Sequence, residues 1–310
     1  YKIATDEKFV SYIENIKNMK SQVFPIPKNL NAELRSYQVD GFNKLMNMKS
    51  NGFGMILADD MGLGKTIQII SLLLGVVGSD KPSLITCPSS LILNWKKELN
   101  NFAPTLKVLT LNQDGENRRV LFEEINSYDV IVTSYELLKR DSELYDGFEF
   151  ENFILDEAQY IKNSNTQNFL TSKKVKSKTK IALTGTPIEN SLSELWSIMD
   201  FVAPGYLSTY KSFNKKFEVP IVIEENSERL EVLKRLCEPF ILRRLKVDVL
   251  KELPEKSEKF LYGDMSTKQK EIYDSNLLAI KEDILKDKDK YSSIKILSVL
   301  MKLRQIANDP

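Results

Sequence analysis

Asp59-Asp60-Met61-Gly62-Leu63-Gly64-Lys65-Thr66 lies between a short apolar run, Gly54-Met55-Ile56-Leu57-Ala58, and the pattern Ile67-Gln68-Ile69-Ile70-Ser71-Leu72-Leu73-Leu74. The stretch therefore sits where a buried strand turns into a helix. Its glycines let backbone amides approach an anion, and a helix N-terminus aims unpaired N–H groups and a dipole at it. Lys65 adds positive charge, and Thr66 offers a hydroxyl to magnesium. The reading is a phosphate site with Asp60, Met61, Gly62, Leu63, Gly64, Lys65 and Thr66 as its candidate cradle. The generic P-loop pattern places glycine where this chain has Asp59. A strand-to-helix turn that holds no nucleotide is the plain alternative, and the surrounding sequence has to decide between the two.

Bulk composition narrows the chemistry. The chain has 310 residues, 42% hydrophobic and 28% charged, and a net charge of +1, so it reads as soluble and globular with no global charge signal for a polyanion. Any nucleic-acid site is then a local patch. The longest apolar stretch, Ile67 to Val77, is too short and too interrupted to span a bilayer. The start at Tyr1-Lys2-Ile3 has no signal-peptide organisation and is expected to belong to a longer protein. Cys87 and Cys237 are far apart and form no CxxC pair, which fits a reducing cytoplasm and excludes disulfide frameworks and zinc ribbons. Histidine is absent. That excludes Ser-His-Asp and Cys-His catalysis and leaves carboxylates, lysine and a hard cation.

Along the chain, Phe9, Ile13, Ile16 and Met19 predict a first helix, and Leu34 opens a second that runs to about Lys49. Gln38 in that helix is either a solvated residue or a side chain able to meet an adenine edge with both donor and acceptor. From Phe53 strands and helices alternate. Strands are expected at Ser83–Cys87, Leu106–Leu111 and Val130–Thr133, and helices at Ser90–Asn101 and Asn117–Ile125. This pattern predicts an α/β fold with a mostly parallel sheet and function at the strand C-terminal ends. Two exits, Pro88-Ser89-Ser90 and Thr133-Ser134-Tyr135, carry hydroxyls that suit phosphate contact or helix N-capping equally.

The strand Phe153-Ile154-Leu155 runs directly into Asp156-Glu157-Ala158-Gln159. Adjacent carboxylates at the end of an apolar strand are costly unless a cation uses them. Asp156 can hold magnesium opposite Thr66, and Glu157 can orient and deprotonate the water that attacks a terminal phosphate. The lysine-rich stretch Lys173 to Lys180 reads as a solvated loop edge. It leads through Ile181-Ala182-Leu183 to Thr184-Gly185-Thr186-Pro187-Ile188-Glu189-Asn190, a third polar exit suited to sensing a γ-phosphate. Beyond Gly205 the alternation stops. Pro239 to Leu250 reads as an amphipathic helix with a basic end and a packing role, Ser257–Tyr262 as a strand, and Gln269–Lys286 and Ser292–Ile306 as helices.

Taken in order, these blocks resemble the N-terminal RecA-like lobe of superfamily-two helicase-like ATPases, specifically the Swi/Snf-type DNA translocases, in a prokaryotic version. Leu34 to Gln38 resembles the adenine-reading glutamine motif. Ala58 to Thr66 resembles the family's own phosphate loop, which accepts an acid at Asp59. Asp156 to Asn163 resembles the second motif, with Tyr160 where the family usually has a polar or basic residue. Thr184 to Asn190 with Ser193 to Phe201 resembles the third motif and its extension, which separates this family from RNA helicases.

The resemblance implies ATP as cofactor-substrate, bound by Gln38, the phosphate loop, Thr184 and Gly185, with Lys65, Asp156 and Glu157 catalytic and Mg2+ at Thr66 and Asp156. It implies duplex DNA as partner, met by Ser89, Ser90, Asn94, Thr133, Ser134 and Asn190. Pro239 to Pro254 resembles a signature of the helical insertion that bridges two lobes, which adds a coupling role to its packing.

The expected organisation is an N-terminal helical extension at 1–30, a RecA-like lobe at 31–204, a helical insertion at 205–256 and, at 257–310, a link toward a second RecA-like lobe carrying catalytic arginines. Without that second lobe these residues are expected to turn over ATP very poorly. The implied function is ATP-driven translocation on duplex DNA, with a DNA-bound protein as a possible target, at a cytoplasmic or nucleoid location. A protein-binding platform on RNA polymerase or a repair complex, and a related RNA or DNA helicase, are the other classes the residues allow.

Overall fold

The computed structural model describes residues 22–112, 115–185, 191–249, 263–286 and 293–308. Its contacts divide the chain into two units, Tyr1–Glu252 and Leu253–Pro310. Among the described residues the first unit is organised by a seven-stranded sheet in the order β3-β4-β2-β5-β6-β1-β7. In chain order the strands are β1 (Met55–Leu57), β2 (Ser83–Cys87), β3 (Val108–Thr110), β4 (Val130–Ser134), β5 (Glu149–Leu155), β6 (Lys176–Leu183) and β7 (Ile241–Leu242). All these neighbours run parallel. The expected α/β fold is therefore present, and the sheet order places the phosphate loop, the acidic pair and the third polar exit on three adjacent strands.

Every residue of β1, β2 and β4 is buried, so both faces of the sheet are covered there, as continuous apolar strands require. The cover comes from α1 (Ser36–Ser50), α2 (Lys65–Gly75), α3 (Ile92–Phe102), α4 (Gly115–Glu123), α5 (Tyr135–Arg140), α6 (Gln167–Lys174) and α7 (Leu192–Val202). Phe153 of β5 meets Phe201 of α7 edge to face at 5.3 Å, with neither ring accessible to water. Burial of each such ring stabilises the fold by about 1.5–3 kcal/mol.

Two sequence expectations change. The lysine-rich stretch expected to be a loop edge supplies the end of α6 and the first half of β6, and three of its lysines engage partners in the protein while Lys174 and Lys176 stay exposed. Lys178 pairs with Glu151 at 2.8 Å, and Lys173 with Asp200 at 2.6 Å. Lys180 lies 5.1 Å above the Phe201 ring.

The segment expected to be one amphipathic helix from Pro239 is instead a short turn at Glu238–Phe240, the strand β7 and a single helical turn, α11 (Lys246–Val249). Tertiary pairing overrides the helical pattern, because Ile241 and Leu242 align with Ile56 and Leu57 and complete the open edge of β1.

Between α7 and β7 the chain forms α8 (Tyr210–Phe213), a π-helical turn at Asn214–Glu218, α9 (Val219–Val222) and α10 (Ser227–Cys237). Phe213 is fully buried and ties this insertion to the core.

The second unit contains α12 (Thr267–Lys286) and α13 (Ser293–Asn308). Gln269 donates to the carbonyls of Ile306 and Ala307 at 2.8 and 3.0 Å, satisfying acceptors that the end of α13 leaves without helical partners. The helix expected within residues 1–20 and the strand at 257–262 lie outside the described residues. No helix among the described residues is long and apolar enough to cross a membrane.

Candidate active site

Because the strands are parallel, their C-terminal ends open on one side, and sheet order fixes which exits are neighbours. Read across β4, β2, β5, β6, β1 and β7, they are Ser134-Tyr135, Pro88 to Ser90, Asp156 to Gln159, Thr184-Gly185, the phosphate loop, and Arg243 to Lys246.

The phosphate loop turns through Gly64, whose φ of 76° and ψ of 46° are left-handed at the N-cap of α2. A Cβ there would also stand 2.4 Å from the Gln38 side-chain nitrogen, so glycine is required twice over. Gln38 is buried and uses its amide on the protein. Its oxygen accepts from the Arg35 N–H at 2.9 Å, and its nitrogen donates to the Leu63 carbonyl at 3.2 Å. One lone pair and one N–H remain, the pair of groups that an adenine edge needs. Lys65 folds onto its own loop and donates to the Asp59 carbonyl at 2.7 Å. Burial lowers its pKa, opposed by the charges of Asp59, Glu157, Asp156 and Asp60. That field joins the loop lysine to the acidic pair across β6.

Asp59 is fully inaccessible, and its partner was not visible in the sequence. Arg244, just past β7, grips both of its oxygens at 2.9 and 2.5 Å, donates to Gln68 at 2.7 Å and caps the Tyr37 carbonyl. The Asp60 N–H donates to the Arg244 carbonyl at 3.0 Å, and the Lys246 N–H to the Asp60 carboxylate at 3.0 Å. The acid in place of the first P-loop glycine thus anchors a buttress, a bidentate ion pair that holds the loop's back wall. An Asp after an apolar strand and a distant Arg-Arg pair were the available signals, but nothing local pairs them.

At the end of β5, burial raises the Asp156 pKa, while a hydrogen bond from the Trp95 indole at 2.8 Å favours the charged form. The other Asp156 oxygen accepts the Glu157 N–H at 3.0 Å. Each oxygen retains a lone pair. Glu157 has φ 52° and ψ 58°, a left-handed backbone uncommon for a residue with a side chain and typical of strained functional positions. Its carboxylate accepts from Gln159 at 2.7 Å, and the Gln159 oxygen meets the Thr184 hydroxyl at 3.4 Å. A side-chain path therefore links the acidic exit of β5 to the Thr184 exit of β6. Gly185 adjoins Met61 of the phosphate loop. Among the described residues no three His, Cys, Asp or Glu side chains gather as a metal cage. One half-buried carboxylate near a phosphate loop with a threonine suits Mg2+, which keeps waters and binds through one or two carboxylates plus phosphates.

The candidate nucleic-acid residues divide. Ser89, Ser90 and Asn94 are exposed at the start of α3. Thr133 and Ser134 are buried, and the Ser134 hydroxyl accepts the Leu137 N–H at 3.2 Å as the N-cap of α5. Of the two readings open for these hydroxyls, capping holds for Ser134, and neither side chain reaches the surface to meet a phosphate. Asn190 lies outside the described residues.

The profile of the SNF2-related domain matches residues 37–310 of this sequence. The chain belongs to that family. As an SNF2-related chain it is 40% identical, over 279 residues, to a Mycoplasma genitalium protein named an uncharacterized ATP-dependent helicase, covering 89% of this chain and 26% of that one. It is 33% identical to the Saccharomyces cerevisiae TATA-binding protein-associated factor MOT1, over 99% of this chain and 18% of the relative. The Sulfolobus solfataricus SWI2/SNF2 ATPase core in complex with double-stranded DNA superposes with a TM-score of 0.69 at 40% identity, over 93% of this chain and 61% of that one. The chain thus spans less than a third of these curated relatives. The SNF2-type fold accounts for the parallel sheet. Trp95 and Tyr135, which stand in the stretches resembling nucleic-acid-contact motifs, bond Asp156 instead, and Arg244 bonds Asp59 across 185 residues, contacts between segments far apart in the chain.

Proposed function

We propose that this chain is the ATP-binding lobe of a DNA-stimulated ATP hydrolase that moves along duplex DNA without separating the strands and remodels protein–DNA complexes. One observation carries the proposal. Lys65, the Asp156-Glu157 pair and Thr184 share one edge of the sheet, and Glu157, Gln159 and Thr184 are joined by hydrogen bonds. Lys65 leaves its loop carbonyls to hold the β- and γ-phosphates, and Gln38 uses its remaining donor and acceptor on adenine. Thr66 and Asp156 would hold Mg2+, which supplies charge neutralisation at the phosphates when bound. Glu157 orients the attacking water and takes its proton, and Thr184 reports the γ-phosphate to Glu157 through Gln159. Exposed Ser89, Ser90 and Asn94 meet the DNA backbone. A second lobe contributes the arginines that complete the cleft. MOT1's name, which joins a relative to a DNA-bound factor, supports a protein on DNA as the target. A cytoplasmic or nucleoid setting follows from this reading.

The test uses the full-length protein, with the proposed second lobe, and compares duplex DNA, single strands and RNA at one fixed salt concentration, since affinity for polyanions falls steeply with salt. Duplex should stimulate phosphate release most. Glu157→Gln should lower turnover by about 10²–10⁴ while keeping nucleotide, and Lys65→Ala should lose nucleotide binding. Full activity in either variant, or greater stimulation by RNA, would overturn the proposal.

A further inference from the structure

Asp156 is held at every polar group by a different neighbour. Its N–H donates to the Thr86 carbonyl of β2 at 2.8 Å, its carbonyl accepts from the Tyr135 hydroxyl at 2.8 Å, and its carboxylate accepts from Trp95 Nε1 at 2.8 Å. Trp95 and Tyr135 are both buried, so neither side chain is a surface accident. Trp95 stands next to exposed Asn94 on the first turn of α3, and exposed Ser89 and Ser90 lie in the 3-10 turn that runs directly into that helix. Tyr135 opens α5 immediately after the capping Ser134. Its ring also stacks on Tyr160, with centroids 5.0 Å apart and planes 9° apart, so it grips the turn that follows Glu157.

We propose that Trp95 is a positioning residue that relays engagement of duplex DNA at the β2 exit to the carboxylate of Asp156, with Tyr135 holding the backbone of that acid in place. The proposal rests on the DNA-stimulated reading above. Its physical basis is that a helix moves as a rigid body, so a shift of the Ser89–Asn94 surface carries the indole N–H with it. A hydrogen bond of this length weakens steeply when its distance or angle changes, and a catalytic group displaced by about 1 Å can lose about a hundredfold in rate. A purely structural role would give the same contacts but no response to DNA.

Two measurements on the full chain separate these cases. Trp95→Phe keeps an aromatic ring and removes the donor, and Tyr135→Phe removes the other. A hydrogen bond to a charged group corresponds to roughly tenfold or more, so the ratio of duplex-stimulated to basal ATP turnover should fall about tenfold in Trp95→Phe, in kcat rather than in KM for ATP. Tyr135→Phe should lower the ratio by a smaller factor. The second measurement needs neither nucleotide nor metal. In a background where every tryptophan but Trp95 is replaced by phenylalanine, Trp196 among them, a saturating blunt duplex should change the indole emission, and this readout stands even if Trp95→Phe does not fold. An unchanged stimulation ratio in both variants, or silent Trp95 emission with duplex bound by anisotropy, overturns the relay alone. Absence of duplex binding or stimulation in the unaltered protein overturns the DNA-stimulated reading and the relay with it.

Discussion

Strand β5 carries two acids toward its start and two just past its end, and the structure treats them in opposite ways. Glu151 at the start is a satisfied anion. Lys178, Lys49 and Ser79 all donate to it from β6, the end of α1 and the loop before β2. Burial alone would push its pKa up, but these donors overcome burial and hold it at about 2. Asp156 at the other end has the Trp95 indole and one backbone N–H on its carboxylate and a pKa raised by burial, and Glu157 sits beside it on a left-handed backbone. One end of the strand is arranged for stability, and the other keeps unspent charge and strain where chemistry is proposed.

Four substitutions can be set against that contrast, two at the Asp59–Arg244 pair and two at the ends of β5. Arg244→Ala would leave the inaccessible Asp59 carboxylate with the Gln68 amide and the field of Lys65 but without its ion-pair partner, and removing one partner of a buried pair costs up to about 3–5 kcal/mol. Chemical denaturation should show that loss, and Asp59→Gly in the same chain should recover part of it. Glu151→Gln should cost about 2 kcal/mol near neutral pH, with allowance for the exposure of Lys178. The sign follows from a folded pKa below the ordinary value of 4.5. The contribution is complete above that value and is lost as pH falls toward 2, so variant and parent should converge in acid. Glu157→Gly should act in the other direction, stabilising by about 0.5–1 kcal/mol through relief of the left-handed backbone while abolishing turnover. A destabilised Glu157→Gly, or an indifferent Glu151→Gln, would erase the distinction between the two ends.

The sequence made most of this contrast legible at the functional end. The apolar run before Asp59, the glycines through Gly64 and the acids after Leu155 are local signals, and sheet topology places them together as the alternation of strands and helices implies. The stabilising end was less legible. Lys176, Lys178 and Lys180 alternate with Ser177 and Thr179, a two-residue period that marks a strand, but their charge reads as solvated loop until Glu151 is known to lie alongside. The misread helix at Pro239 has a different cause. A two-residue strand is too short to show a period, and its pairing with β1 is purely tertiary. Thr133 and Ser134 were ambiguous for a third reason, because a hydroxyl after a strand looks the same whether it caps a helix or meets a phosphate.

The bond between Asp59 and Arg244 also sets an order of events during synthesis, because its two ends are 185 residues apart in sequence. At roughly 5–20 residues per second, a nascent chain waits about 10–40 s after making its phosphate loop before the buttress exists. Through that interval the edge of β1 is open and the Asp59 carboxylate lacks its guanidinium. The nucleotide cradle is therefore among the first parts of the sheet to be translated and among the last to be finished.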